Sequence, residues 1–166
     1  MKRLIIIAAV VLTTLTAFNR LNKQTEMESR FTTLTLGVDN VERSFKFYHE
    51  GLGLSSKGII GKEFEHGEIA FVDLKNGMIL ALYSRDNLAW DSQLKKGEPS
   101  STEFSIGYNT RSEAEVDSIL AQAKKAGAII TRAGQKTFWG GYSGYFKDPD
   151  GHLWEIAYNP NLVPAD

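Results

Sequence analysis

The chain contains no cysteine. That removes disulfides, a thiolate nucleophile, cysteine metal sites and cysteine lipidation. It leaves the compartment open, because a domain of this size needs no covalent staple. Histidine is scarce as well: His49, His66 and His152 are the only three, so a site needing several imidazole donors is hard to assemble. Basic residues are not in excess. The formal charge is -1, and residues 1–30 hold five of the 19 basic and two of the 20 acidic residues, which leaves -4 on the remainder. A nucleic-acid partner needs a concentrated basic surface and is thereby excluded.

No apolar run reaches the roughly 20 residues that a membrane-spanning helix wants. The nearest is "MKRLIIIAAVVLTTLTAF", where two basic residues precede an apolar run from Leu4 to Leu12 that extends to Phe18. A charged start and a short apolar stretch resemble a secretory signal peptide. The small-x-small cleavage pattern is poor before Asn19 and Arg20, so an uncleaved transmembrane helix or anchor over residues 4–18 is the alternative. Both readings make the protein membrane-anchored or exported; a translation start at Met27 would make it cytoplasmic. The expected organisation is a hydrophobic segment and polar linker over residues 1–29, a domain over 30–160 and a tail over 161–166. A domain of that length supports one hydrophobic core.

What is present in the domain occurs twice. In "FTTLTLGVDN", Leu34, Leu36 and Val38 alternate with Thr33, Thr35 and Gly37, which predicts a strand. Asp39 or Asn40 can cap a helix in which Val41, Phe45, Tyr48 and Leu52 recur at helical spacing, with Gly51 and Gly53 where it should stop. "IIGKEFEHG", "IAFVDLKNG" and "MILALYSR" follow as strands, with Asn76-Gly77 as a hairpin turn. The second half repeats this order. "TEFSIGYNT" is a strand, Thr110 with Glu113 or Ser112 with Glu115 can make a capping box, and Val116, Ile119, Leu120 and Ala123 form an apolar stripe ending at Gly127. "AIITRAG", "GYSGYFKD" and "GHLWEIAYN" supply three more strands. Modules over about 30–85 and 101–160 are joined by the polar "DNLAWDSQLKKGEPSS". The fold class is α+β: two βαβββ modules forming a curved mixed sheet around a cleft, with helices outside. Small and polar groups on the inner strand faces make Thr33, Thr35, Leu80, Glu103, Ser105 and Glu155 the candidate lining.

Near the end stands "YFKDPDGHLWEIAYNP". Asp148, Pro149, Asp150 and Gly151 are turn formers, and the strand after them alternates Trp154, Ile156 and Tyr158 with Leu153, Glu155 and Ala157. Glu155 therefore sits on the side away from the large apolar groups, as either a solvated carboxylate or a cleft-lining acid or base. Trp139 and Tyr142, with Tyr145, lie in the Gly-rich "KTFWGGYSGY" and offer flat apolar area with polar handles for a small organic molecule. Phe138 and Phe146 read as core. Lys136 and Arg132 face an anionic ligand or solvent, and the sequence leaves that choice open.

"TLTLGVDNVERSFKFYHEGLGL" and "GYFKDPDGHLWEIAYNP", at their separation, resemble the vicinal oxygen chelate (VOC) superfamily of glyoxalases, bleomycin-resistance proteins and extradiol dioxygenases. The resemblance covers about residues 30–160 and includes glyoxalase-like members that carry "TFWGGYSGYF". It implies paired βαβββ modules and a U-shaped cleft. In metal-using members, His or Glu ligands come from the first and last strand of each module. The resemblance places these positions at Thr33, Leu80, Glu103 and Glu155. Only Glu155 matches, and Glu103 is a chemically acceptable substitute. No metal cofactor is therefore expected; any divalent ion would have to rely on Glu103 and Glu155. The expected function is a glyoxalase/bleomycin-resistance-like domain, monomeric or homodimeric, that binds a small organic molecule with an incomplete metal site. A metal-dependent lyase or dioxygenase with an atypical ligand set, and a non-catalytic partner-binding domain, are the alternatives.

Overall fold

The computed structural model describes residues 31–162 and residue 164. Among them no helix is long and apolar enough to cross a membrane. The transmembrane, signal-peptide, membrane-anchored and exported readings are accordingly withdrawn; the stretch 4–18 that prompted them lies outside the described residues.

Two four-stranded mixed sheets form the domain. The first contains β1 (Thr33–Val38), β2 (Ser56–Ile60), β3 (Ile69–Asp73) and β4 (Ile79–Ser84), paired in the order β1-β4-β3-β2. The second contains β5 (Ser105–Thr110), β6 (Ile129–Lys136), β7 (Tyr142–Lys147) and β8 (Leu153–Tyr158), in the order β5-β8-β7-β6. In each module the first and last strands pair in parallel and the rest antiparallel. The two βαβββ modules are thus those expected from the repeat.

Local signals explain the helices. Asn40 Oδ1 accepts from the Arg43 backbone N–H at 2.7 Å and starts α1 (Val41–Phe45), which widens into a π-helical turn over Lys46–Gly51. Ser112 Oγ accepts from Glu115 N–H at 3.2 Å, and Glu115 Oε2 reaches back to Arg111 N–H at 2.8 Å, to start α3 (Glu113–Ala126). Gly127 ends it at φ 109°, a conformation that favours glycine. Asn76 and Gly77 both have positive φ at the β3–β4 turn. Two local expectations shift. "IIGKEFEHG" contributes only Ile59 and Ile60 to β2, and the expected loop after β4 begins with α2 (Arg85–Ser92), capped by Ser84 Oγ.

Each sheet keeps one face for helices. Leu36, Val38, Ala70, Val72, Leu80 and Leu82 of the first sheet join Phe146, Trp154 and Ile156 of the second in one core, with Phe47, Tyr48, Val116 and Leu120 among them. The Phe47 and Phe146 ring centroids are 6.3 Å apart, and those of Tyr48 and Trp154 are 5.9 Å apart. The first module's helix therefore packs on the helix-bearing face of the second sheet. The modules join through their helices, and each sheet presents its other face as a curved wall on the opposite side of the common core.

The β7–β8 turn fastens this arrangement. Asp148 and Asp150 are only 2% and 6% exposed, so their carboxylates require partners. Asp148 accepts from the N–H groups of Asp150 and His152 at 2.9 and 2.8 Å and from Tyr48 Oη–H at 2.6 Å, and His152 Nδ1 lies 2.8 Å from it. Asp150 accepts from Asp39 N–H at 2.8 Å, from Arg43 Nη2 at 2.5 Å and from Ser44 Oγ. Arg85 Nη2 donates to the Asp150 carbonyl at 2.7 Å. Residues of the second hairpin are thereby bound to the start of the first module's helix.

Burial pushes the Asp148 carboxyl up, but hydrogen bonds from His152 and Tyr48 outweigh it and hold the group below the ordinary carboxylate range. The linked stability is fully present above the unfolded value of about 3.9 and is lost as pH falls through the lower folded value. Asp148→Asn leaves donors facing an amide and should destabilise the fold on the order of 2–3 kcal/mol at neutral pH. Urea unfolding between pH 2.5 and 7 should show a shallower acid slope in this variant; an unchanged slope would refute the assignment.

Candidate functional site

The strand registers define the two sheet faces turned away from the common core; on the first, Arg85 and Leu88 of α2 lie 3.4 Å from where a Cβ at Gly37 would stand and cover that end. In the first module Thr35 pairs with Ala81, and Ala81 pairs with Phe71 of β3. Side chains paired across strands share a face, so Thr33, Thr35, Gly37, Ile79, Ala81, Tyr83, Ile69 and Phe71 form one wall. It is mostly apolar. In the second module Gly107 pairs with Glu155, Glu155 with Tyr145, and Arg132 of β6 with Tyr145. Ser105, Asn109, Ser143, Lys147, Leu153 and Ala157 share that wall. It is mostly polar.

The polar wall is organised around Arg132. Its guanidinium carbon lies 4.5 Å from the Tyr145 ring centroid, a cation–π distance. Its Nη2 donates to Ser143 Oγ at 2.5 Å and approaches the Ser143 carbonyl at 3.3 Å. Burial raises the pKa of the Tyr145 hydroxyl, its hydrogen bond to Glu155 and the Glu155 charge raise it further, and Arg132 partly offsets both. Tyr145 therefore remains a neutral donor beside an acceptor. A Cβ added at Gly107 would meet nothing within 4 Å, so the wall is open beside Glu155. Two cavities of about 390 and 470 Å³ occur elsewhere in the domain, lined respectively by Lys62, His66 and Glu68 and by Arg43, Phe47 and Lys125 among others. Neither includes Arg132, Tyr145 or Glu155, whose interacting polar groups converge on the wall.

The expected lining residues distribute unevenly. Thr33 and Thr35 lie exposed on the first wall, and Ser105 and Glu155 lie on the second. Leu80 is corrected: it is 0% exposed and faces the helices, and Ala81 holds the wall position beside it. Glu103 is corrected too. It is exposed and precedes β5, four residues from the partner of Glu155, or roughly 13 Å along an extended chain. Tyr142 points to the helix side, where its hydroxyl bonds Asp117 Oδ1 at 3.0 Å. The Trp139 ring, 37% exposed, fills the space above Gly141, where any Cβ would collide with it. Lys136 pairs with Glu113 on the surface. Tyr145, which the sequence grouped with Trp139 and Tyr142, is the residue that bonds Glu155, and Arg132, for which the sequence left ligand or solvent open, covers the Tyr145 ring. Counting by twos back through the hairpin from Glu155 selects Tyr145 over Tyr142, and that was the available signal.

The registers also realign the metal positions. Thr33 stands two residues before the β1 residue that pairs with Ala81. Ser105 stands two before the β5 residue that pairs with Glu155. The equivalent set is therefore Thr33, Ala81, Ser105 and Glu155, with a single carboxylate. Neutral hydroxyls are poor ligands for a divalent ion and a methyl group is none. Among the described residues no group of three or more His, Cys, Asp or Glu is placed to hold a metal. The histidines are engaged elsewhere: His49 with the Leu54 carbonyl at 2.7 Å, His66 with Asn87 Oδ1 at 2.9 Å, and His152 with Asp148. The residues present do not fit the divalent ion of the metal-using relatives.

Paired βαβββ modules with these walls define the vicinal oxygen chelate class of fold. Residues 30–156 match the Glyoxalase/Bleomycin resistance protein/Dioxygenase superfamily, and the chain belongs to it. It is similar to a glyoxalase-related enzyme from Fulvimarina pelagi, with 33% identity over 84% of this chain and 95% of that one and a TM-score of 0.70. A hypothetical protein from S. aureus, at 22% identity over 81% and 96% of the two chains and a TM-score of 0.66, shares the fold. So does a lactoylglutathione lyase from Agrobacterium tumefaciens, at 18% identity over 82% and 98% and a TM-score of 0.59. No curated protein matches.

The wall's electrostatics give a direct measurement. Glu155→Gln removes the charge that helps raise the Tyr145 pKa and should lower it. Arg132→Gln removes the offset and should raise it. Titration of ring-labelled tyrosine by NMR reads both; shifts in the opposite directions would break the assigned coupling.

Proposed function

We propose that this VOC-domain protein binds a small organic molecule on the wall formed by Arg132, Tyr145 and Glu155, without the family's complete metal site. The observation that carries this reading is the polar row itself: a cation, a neutral phenol and a carboxylate meet on an open sheet face, where no helix covers them. Ser105, Thr33 and Thr35 are secondary lining residues, and Trp139 borders the wall's end. Glu155 is the group available for proton transfer if the ligand is also transformed.

A wall becomes a cleft when something faces it. β1 and β5 are edge strands, and their free edges suit pairing with another chain. We infer that a second copy brings its apolar wall opposite the polar one, which by two-fold symmetry builds two equivalent clefts.

A thermal-shift panel of small organic acids, alcohols and amides tests the binding reading. Ligands that stabilise the protein should lose that effect in Glu155→Ala and in Tyr145→Ala. A panel in which stabilisation survives both substitutions would overturn it. Metal analysis of protein purified without chelator should find well under one equivalent of Ni, Zn, Fe or Mn per chain. A full equivalent lost on Glu155→Ala would favour the atypical metal-dependent lyase or dioxygenase instead. Sedimentation across dilution should show a dimer whose dissociation weakens binding.

A further inference from the structure

The polar wall carries a row of four paired positions: Arg132 on β6, Tyr145 on β7, Glu155 on β8 and Gly107 on β5. Neighbouring strands lie about 4.8 Å apart, so the backbones of Arg132 and Glu155 are separated by roughly 10 Å with the Tyr145 strand between them. The ends of the row are chemically opposite. At one end Arg132 is half-buried, and its Nε is buried without a hydrogen-bond partner, the single such side-chain atom among the described residues. No ion pair among the described residues includes Arg132. A guanidinium drawn partly out of water, with neutral oxygens of Ser143 as its only hydrogen-bond acceptors, is short of an anionic acceptor. Lys147, on the same face, adds positive charge. At the other end Glu155 accepts, and Gly107 leaves free space beside it.

We propose, building on the binding reading above, that this wall takes a flat organic acid whose carboxylate is held by Arg132 and whose far end donates a hydrogen bond to Glu155. The match is one of both charge and length. A carboxylate gives the guanidinium, through the N–H groups it does not donate to Ser143, the anionic acceptor it lacks. A hydroxyl or amine across a six-membered ring keeps the donor well apart from the carboxylate, as two poles on strands roughly 10 Å apart require. A diacid is disfavoured because its second carboxylate would meet Glu155, and a simple cation because it would meet Arg132. Leu153 and Ala157, on the same face, supply apolar contact for the body of the molecule.

The test uses the full chain, ¹⁵N-labelled, with three matched probes: 4-hydroxybenzoate, its methyl ester and benzoate. 4-Hydroxybenzoate should shift the amide signals of Gly107, Ser143, Tyr145 and Glu155. The methyl ester, which lacks the anion, should bind at least tenfold more weakly, and benzoate, which lacks the donor, should bind more weakly by a smaller factor. Arg132→Gln should erase the difference between acid and ester, and Arg132→Lys should restore part of it. Glu155→Gln should remove the advantage of 4-hydroxybenzoate over benzoate. The acid–ester comparison needs no variant, so it stands even if Arg132→Gln folds poorly. Equal binding of acid and ester on this face overturns the acid assignment and leaves the binding reading intact. Shifts confined to other regions, for these probes and for every stabilising member of the thermal-shift panel, overturn both.

Discussion

The structure depends on two carboxylates in one turn. Asp148 and Asp150 are removed from water, and the contacts of Tyr48, Asp39, Arg43 and Ser44 that help offset this cost come from the first module. Asp148 orders its own turn through the N–H groups of Asp150 and His152, then receives Tyr48 from the first module's helix. Tyr48 in turn accepts from Trp154 Nε1 at 3.1 Å, and burial followed by the Asp148 charge keeps its hydroxyl well above ordinary ionisation. Asp150 collects the backbone and side chains at the start of α1. The last hairpin therefore cannot form its satisfied turn unless the first module is already in place beside it. Hydrogen bonds of this kind add specificity more than raw stability, because the alternative arrangements leave a buried charge unpaired.

That constraint decides which sheet faces turn away from the core. With the helices and the turn holding the sheets together through their helix-bearing faces, the other faces must look outward. One is apolar, with Phe71, Ile79 and Ala81; the other carries Arg132, Tyr145 and Glu155. The same module has thus been used for two purposes. In the first, the position equivalent to Glu155 is a methyl group, and the wall supplies surface. In the second, the carboxylate is retained and the wall supplies polarity.

Legibility in the sequence followed local physics. The strands with one apolar face, β1 and β8, alternate clearly, so Thr33, Thr35 and Glu155 could be assigned to the outward face from their parity. β4 could not. Leu80, Ala81, Leu82 and Tyr83 are all buried, because a central strand is covered on one face by the core and on the other by its surroundings. A continuous apolar run has no parity to read, and a one-residue slip changes every side chain's face. That slip put Leu80 where Ala81 stands. Glu103 failed for a different reason: Phe104, Ile106 and Tyr108 alternate, but the strand begins only at Ser105. Helix α2 escaped because it buries no residue and so leaves no apolar stripe. The turn "DPDG" was readable as a turn, but its long-range partners were not, since Tyr48, Ser44 and Asp39 lie about a hundred residues away in the chain.

The replaced ligand positions also change the logic of the retained carboxylate. Beside a divalent ion, a glutamate is one donor among several, and its charge is neutralised by the metal. Here Thr33, Ala81 and Ser105 offer no second strong donor, so Glu155 must find its balance within the sheet. It does so through Tyr145, whose hydroxyl is held protonated by burial and by Glu155 itself, and Tyr145 is in turn covered by the Arg132 guanidinium. Positive charge is thus supplied from two strands away by a fixed side chain. A metal presents one centre to which ligand oxygens converge; a cation and a carboxylate separated by an aromatic ring present two poles. On the proposed binding wall, selection would consequently act on the length and polarity of the whole molecule, because no single chelating pair of oxygens would satisfy both ends.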